Sequence, residues 1–163
     1  MKIRVVSTTG TGKTALSAFD SALKNAGVYN FNLIILSSVI PLGASVIRQK
    51  FVEMDLSQIG DRLYVVKADI RSDHSGKVIA AALGWYHLKN GGGVFVEHEA
   101  EGFTKRGVES EIRFKIESSL QDLCEFRGEK FNKKKMGLSM ATCKVSKKPS
   151  CALTLAIYTA EPW

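Results

Sequence analysis

Residues 14–41 read TALSAFDSALKNAGVYNFNLIILSSVIP, and this stretch decides the fold. Its first half has the period of a helix. Leu16, Phe19, Leu23 and Ala26 form one apolar stripe, and Gly27 is the stop. Its second half, FNLIILSS at 31–38, is a continuous apolar run of strand length. Flanked by turn signals, it predicts a strand buried on both faces.

Working outward, KIRVVS at 2–7 is a β-branched strand, and STTGTGKT at 7–14 reads as a Gly/Thr loop. Downstream, an irregular stretch runs to about Asp61, and RLYVVKAD at 62–69 is a strand. Residues 75–88 read as a helix packed through Val78, Ile79, Ala82 and Trp85. The turn Gly91–Gly93 leads to the strand VFVEHEA, 94–100. A long amphipathic helix over 104–126 carries Val108, Ile112, Ile116, Leu120 and Leu123 on one face. Strands at 137–145 and 151–159 close the chain as a hairpin. The order gives one domain, 1–163, of mixed-sheet α/β or α+β sandwich type.

The chain has 163 residues, 45% hydrophobic and 24% charged, which excludes disordered and fibrous classes. It has no apolar run of the ~18 residues a transmembrane helix needs, and no membrane partner is expected. MKIRVVSTTG lacks the apolar core of a secretory signal. The net charge of +7 is spread, with one dense run, Lys133–Lys135, in a turn-like FNKKKMG segment. That run reads as a solvated loop, so no nucleic-acid partner is expected. Cys124, Cys143 and Cys151 show neither disulfide-framework nor zinc spacing, so no metal is expected and a reducing cytoplasm fits.

Four places carry potential chemistry. Gly12, Lys13 and Thr14 end a P-loop pattern, but its first glycine falls on Ser7. A nucleotide-binding reading using Gly10–Thr14 stands beside that of a glycine-permitted turn feeding a helix. Ser37 and Ser38 end an apolar run just before Pro41, where hydroxyls need partners; they either cap backbone groups or react. In FVEHEAEG, Glu97 and Glu99 share a strand face with Phe95, while His98 lies opposite with Val96. Two carboxylates beside an aromatic can raise one pKa and make a proton donor, or they simply form an acidic strand end. Asp20 flanks the helix stripe, either as an exposed residue or as a carboxylate poised for a guanidinium. The three histidines follow no G-x-S-x-G elbow, so a serine-hydrolase triad is a poor fit.

Together these places resemble the pyruvoyl-dependent arginine decarboxylases. In that family AFD-x-AL-x-x-AG is followed by an asparagine, an apolar run, a hydroxyl pair and a proline. Here the matching residues are Ala18, Phe19, Asp20, Ala22, Leu23, Ala26 and Gly27, then Asn32, Ser37, Ser38 and Pro41. VEHEAEG resembles the family's glutamate segment with one extra residue before the glycine, and CALTLAIY resembles its C-terminal strand. Residues 49–61 match least.

The resemblance implies a four-layer αββα sandwich with mixed sheets, assembled as a homotrimer or a dimer of trimers with sites between subunits. It implies self-cleavage between Ser37 and Ser38 into chains 1–37 and 38–163, with Asn32 assisting. Ser38 would become a pyruvoyl group, the covalent cofactor. That ketone would condense with the α-amine of L-arginine and act as electron sink while carbon dioxide leaves. Glu97 would protonate the resulting carbon, giving agmatine, and Asp20 would recognise the guanidinium. A processing-dead oligomeric binding module of the same fold is the non-enzymatic alternative.

Overall fold

The computed structural model describes residues 1–53 and 55–163. In chain order it builds β1 (Lys2–Thr11), α1 (Ala15–Ala26), β2 (Asn32–Ile35), β3 (Val39–Ile40), β4 (Ser45–Gln49) and β5 (Arg62–Ser72). There follow β6 (Val78–His87), β7 (Gly93–Gly102), α2 (Lys105–Glu125), β8 (Gly137–Lys144) and β9 (Ser150–Glu161). One sheet has the order β2-β5-β9-β1-β4 and the other β3-β7-β6-β8. The first is mixed, because β1–β4 and β2–β5 are parallel pairs. The second is antiparallel throughout. The mixed-sheet expectation therefore holds for one of the two.

Strand alternation sorts the side chains into three apolar layers. Ile3, Val5, Val66, Ile79, Leu83 and Phe95 fill the space between the sheets. Val6, Val65, Leu153 and Leu155 face the other way, onto Ala18, Ala22 and Leu23 of α1. Val78, Ala80, Ala82 and Val96 pack on Val108, Ile112, Ile116 and Leu120 of α2. The stack is α1, five-stranded sheet, four-stranded sheet, α2. Ile112, Ile116 and Leu120 are 0% exposed, and burial of each contributes about 1.5–3 kcal/mol.

The sequence misleads in four places. Residues 78–87 form the strand β6, not a helix. Ile79, Ala81, Leu83 and Trp85 face the other sheet, while Val78, Ala80, Ala82 and Tyr86 face α2. A strand apolar on both faces carries no alternation, and its alanines favour a helix locally; tertiary burial overrides that preference. Gly84 in its middle admits α2, since a Cβ there would lie 2.2 Å from Ile116 Cγ2.

The run at 31–38 forms only a four-residue edge strand, β2, hydrogen-bonded to β5 alone. Ile35 is 56% exposed, so burial on both faces does not occur. The terminal strands do not form a hairpin: β8 pairs with β6, whereas β9 lies at the centre of the other sheet. The turn between them crosses from one sheet to the other.

The apparent phosphate loop is mostly strand. Residues Ser7 to Thr11 pair in register with Thr154 to Ser150 of β9. Gly10 serves close packing, because a Cβ there would lie 2.3 Å from Ala22 N of α1. The helix N-terminus is closed by a reciprocal Thr14–Ser17 capping box. No loop is left to cradle a phosphate, and the nucleotide-binding reading of Gly10–Thr14 falls.

Candidate active site

The chain passes from one sheet to the other between β2 and β3, and Ser37–Ser38 is the crossing. Leu36 N–H donates to Val65 O at 2.9 Å, the last backbone tie to the five-stranded sheet. Phe95 N–H then donates to Ser38 O at 2.8 Å, the first tie to the four-stranded sheet. Between these ties, Ser38 adopts φ 66°, the one positive φ at a non-glycine among the described residues. Such a conformation costs about 1–3 kcal/mol and persists only where the surroundings enforce it. The apolar run thus delivers a strained serine, not a regular strand end.

The Ser38 hydroxyl donates to Glu97 Oε1. Glu97 stands on β7, whose outer edge is covered by β3 only at Gly93 and Val94. Ser38 O engages the next donor, Phe95 N–H, and beyond Phe95 the edge is open, which leaves Glu97 reachable. A cleft of about 480 Å³ opens here, walled by Ser37, Ser38, Phe95 and Glu97 on one side and by Ser119 and Phe126 of α2 on another.

Of the three carboxylates of β7, Glu97 and Glu99 share a face as expected, and their environments differ. Burial raises the Glu99 carboxyl above the usual range, with help from the charges of Asp69 and Glu97. The Asp69 backbone and Lys67 oppose that rise. Asp69 itself is held by Lys67 and by Arg71, whose Nε lies at 3.0 Å. His98 points the other way, as alternation requires, with Nε2 2.8 Å from Ser119 Oγ. Burial, then the charge of Lys115, lowers its pKa, and Glu97 opposes.

Asp20 and Asn32 lie elsewhere in the subunit. Asp20 is exposed on α1, over the outer face of the five-stranded sheet, and does not line the cleft. Its neighbour Phe19 lies under the Arg71 guanidinium, 3.9 Å from ring centroid to Cζ. Asn32 begins β2, and its Nδ2 donates to Gly60 O at 2.5 Å. Ser37 is five residues further on, roughly 16 Å at the rise of a strand. One subunit therefore unites Ser37, Ser38 and Glu97 but neither Asp20 nor Asn32.

The family model for pyruvoyl-dependent arginine decarboxylase matches residues 2–162. A pyruvoyl-dependent arginine decarboxylase of Thermococcus kodakarensis is 34% identical over 150 residues, covering 91% of this chain and 88% of the relative. One of Pyrococcus abyssi is 34% identical over 146 residues, with 90% and 87% covered. The chain belongs to the pyruvoyl-dependent arginine decarboxylase family.

A member of this family needs a residue that becomes its pyruvoyl group, and Ser38 fits. It carries the β-oxygen, sits in the cleft, and has its own carbonyl already engaged by Phe95 N–H. Among the described residues no cluster of three His, Cys, Asp or Glu is placed to hold a metal ion. No described helix is long and apolar enough to cross a membrane.

One residue that touches the crossing is not singled out by the sequence. Tyr158 of β9 reaches between the sheets and donates its hydroxyl to Val39 O at 2.9 Å. Its signal was a polar-tipped aromatic at the end of the apolar strand CALTLAIY, since a buried tyrosine hydroxyl seeks a partner.

Proposed function

We propose that this protein decarboxylates L-arginine to agmatine and carbon dioxide with a pyruvoyl group made from its own Ser38. The observation that carries the reading is Ser38 itself, strained at φ 66°, bonded through its hydroxyl to Glu97 and facing the cleft.

Self-cleavage follows from the atoms at the crossing. Ser38 Oγ attacks the Ser37 carbonyl carbon, the Ser37–Ser38 C–N bond breaks, and the hydroxyl proton ends on the freed amine. Elimination removes the Ser38 Cα proton and expels Ser37 as a carboxylate. One water enters, one ammonia leaves, and residue 38 becomes a ketone. Relief of the left-handed strain favours the first step. Glu97 Oε1 orients the hydroxyl in the uncut chain.

The ketone supplies the electron sink for decarboxylation. Glu97 then holds the proton for the carbon that loses carbon dioxide. Phe95 N–H fixes the carbonyl of residue 38, and the Phe95 ring helps exclude water. Asp20, exposed and remote from its own cleft, receives the guanidinium at the cleft of a neighbouring subunit. Asn32 assists cleavage in the same way, across the interface. Exposed Ile35 and Val39, flanking the crossing, give apolar surface for that neighbour. A homotrimer or dimer of trimers in the cytoplasm agrees with this, as do three free cysteines.

The test is a denaturing gel with intact mass measurement. The 17.9 kDa chain is expected to separate into 1–37 and 38–163. The larger chain should resist Edman degradation, and borohydride should reduce its terminal ketone and abolish activity. Active enzyme that remains one uncut chain would overturn the reading.

A further inference from the structure

We infer that Tyr158 is a positioning residue for self-cleavage: from the central strand of one sheet, its hydroxyl clamps the carbonyl of Val39, the residue after Ser38, and holds the scissile junction in its left-handed turn. The inference rests on the proposed cleavage at Ser37–Ser38 and adds the residue that sets its geometry.

Two independent observations support it. The first is the pair of ties just past the junction. Phe95 N–H, from the four-stranded sheet, holds Ser38 O at 2.8 Å, and Tyr158 OH, from the five-stranded sheet, holds Val39 O at 2.9 Å. Consecutive carbonyls are thus gripped from opposite sheets. With Leu36 N–H fixed to Val65 O on the other side, only Ser37 and Ser38 are left to absorb the turn.

The second is the backbone of β9. Tyr64 of β5 pairs with Thr159, and the next residue, Val65, pairs with Ile157. Tyr158 is skipped. A bulge of this kind re-aims a side chain and is frequent beside active sites. Here it falls on the residue of β9 whose side chain hydrogen-bonds the crossing. The Tyr158 ring packs edge-on to Phe95, with centroids 6.3 Å apart, so its hydroxyl has a fixed origin. Burial, then the nearby Glu97 charge, pushes its pKa well up, which keeps the hydroxyl a donor.

The experiment compares two hydroxyl deletions in the full-length precursor. Tyr158→Phe keeps the ring and loses the bond to Val39 O. Thr154→Val, on the same strand, loses a bond to Ala81 O of the same 2.9 Å length and one with Ser7 Oγ, both away from the junction. Cleavage is followed on denaturing gels and thermal unfolding in parallel. Tyr158→Phe should cleave about 2- to 13-fold more slowly, the weight of one such bond. Thr154→Val should lower the melting temperature comparably and cleave at the wild-type rate. Hydroxylamine, which cuts an ester at the junction, should release 1–37 from Tyr158→Phe with the same delay, because the tyrosine acts on the acyl shift. Wild-type cleavage by Tyr158→Phe overturns the inference. So does equal slowing in Thr154→Val, or a hydroxylamine rate restored to wild type. Wild-type protein that never cleaves instead overturns the cleavage reading.

Discussion

Ser38 and Glu97, 59 residues apart in sequence, meet through a side-chain hydrogen bond at the point where the chain changes sheets. The contact joins the nucleophile of the proposed cleavage to the carboxyl proposed to protonate the product. β3 is two residues long, and the β7 edge is open beyond Phe95, where Glu97 stands. The same opening would serve both the uncut protein and the proposed cut one.

The two serines have unequal duties. Ser38→Ala should remain a single chain and be inactive, since neither an ester nor an eliminable β-oxygen can form. Ser37→Ala should still separate into two chains, because position 37 contributes only its carbonyl. Time courses on denaturing gels check both; an uncut Ser37→Ala would assign that hydroxyl a part in the chemistry.

Glu97→Gln keeps an acceptor for the Ser38 hydroxyl but carries no transferable carboxyl proton. It should cleave, yet turn over arginine about 10²–10⁴-fold more slowly, the usual weight of a positioned acid. Steady-state rates per cleaved chain measure this. Near-normal turnover would move the role to Glu99 or to water.

Asp20 tests the assembly. Asp20→Asn should leave cleavage intact and reduce arginine turnover about 10–150-fold, the worth of a charge-assisted pair. Co-expressed Asp20→Asn and Glu97→Gln chains should recover activity, because a site built from two subunits regains both residues in some positions. Two inactive homo-oligomers whose mixture stays inactive would place Asp20 and Glu97 in one subunit's site.

Glu99 gives a pH signature. Its carboxyl is raised in the folded protein, so folding binds a proton more tightly than the unfolded chain does. Its contribution to stability is complete below the ordinary glutamate value of 4.5 and is lost as pH rises through the folded value. Glu99→Gln should therefore gain melting temperature relative to wild type as pH rises above 4.5. A difference that is flat with pH would refute the raised carboxyl.

Much of this was legible in the sequence because the signals were local. The helix α1 and its stop at Gly27, φ 86°, were legible, although Leu16 of the expected stripe is 70% exposed and the buried face is Ala18, Ala22, Leu23 and Ala26. The alternation in FVEHEA correctly put Glu97 and Glu99 on one face and His98 on the other. The failures were all non-local. Whether 78–87 becomes helix or strand depends on α2 filling the space over Gly84. Whether 31–36 is central or marginal depends on which strands flank it. The strain at Ser38 is invisible in composition, since it arises from ties to Val65, Phe95 and Tyr158, residues 27 to 120 positions away. Asp20 stood out as an acidic residue beside the helix stripe and Asn32 only by resemblance, and neither meets the cleft within one chain.

The place of the crossing also sets the fate of the pieces. The segment before Ser38 carries β1, α1 and β2, and β1 lies between β9 and β4 of the larger segment. A cut at the crossing therefore frees no peptide: the short chain stays laced into the sheet it helped to build. What changes is the law governing its unfolding. Within each subunit, unfolding that would have kept one chain together becomes the separation of two, which adds a further dependence on dilution to the melting temperature. Refolding from the separated chains must also begin without the covalent link that brought β1 to β4.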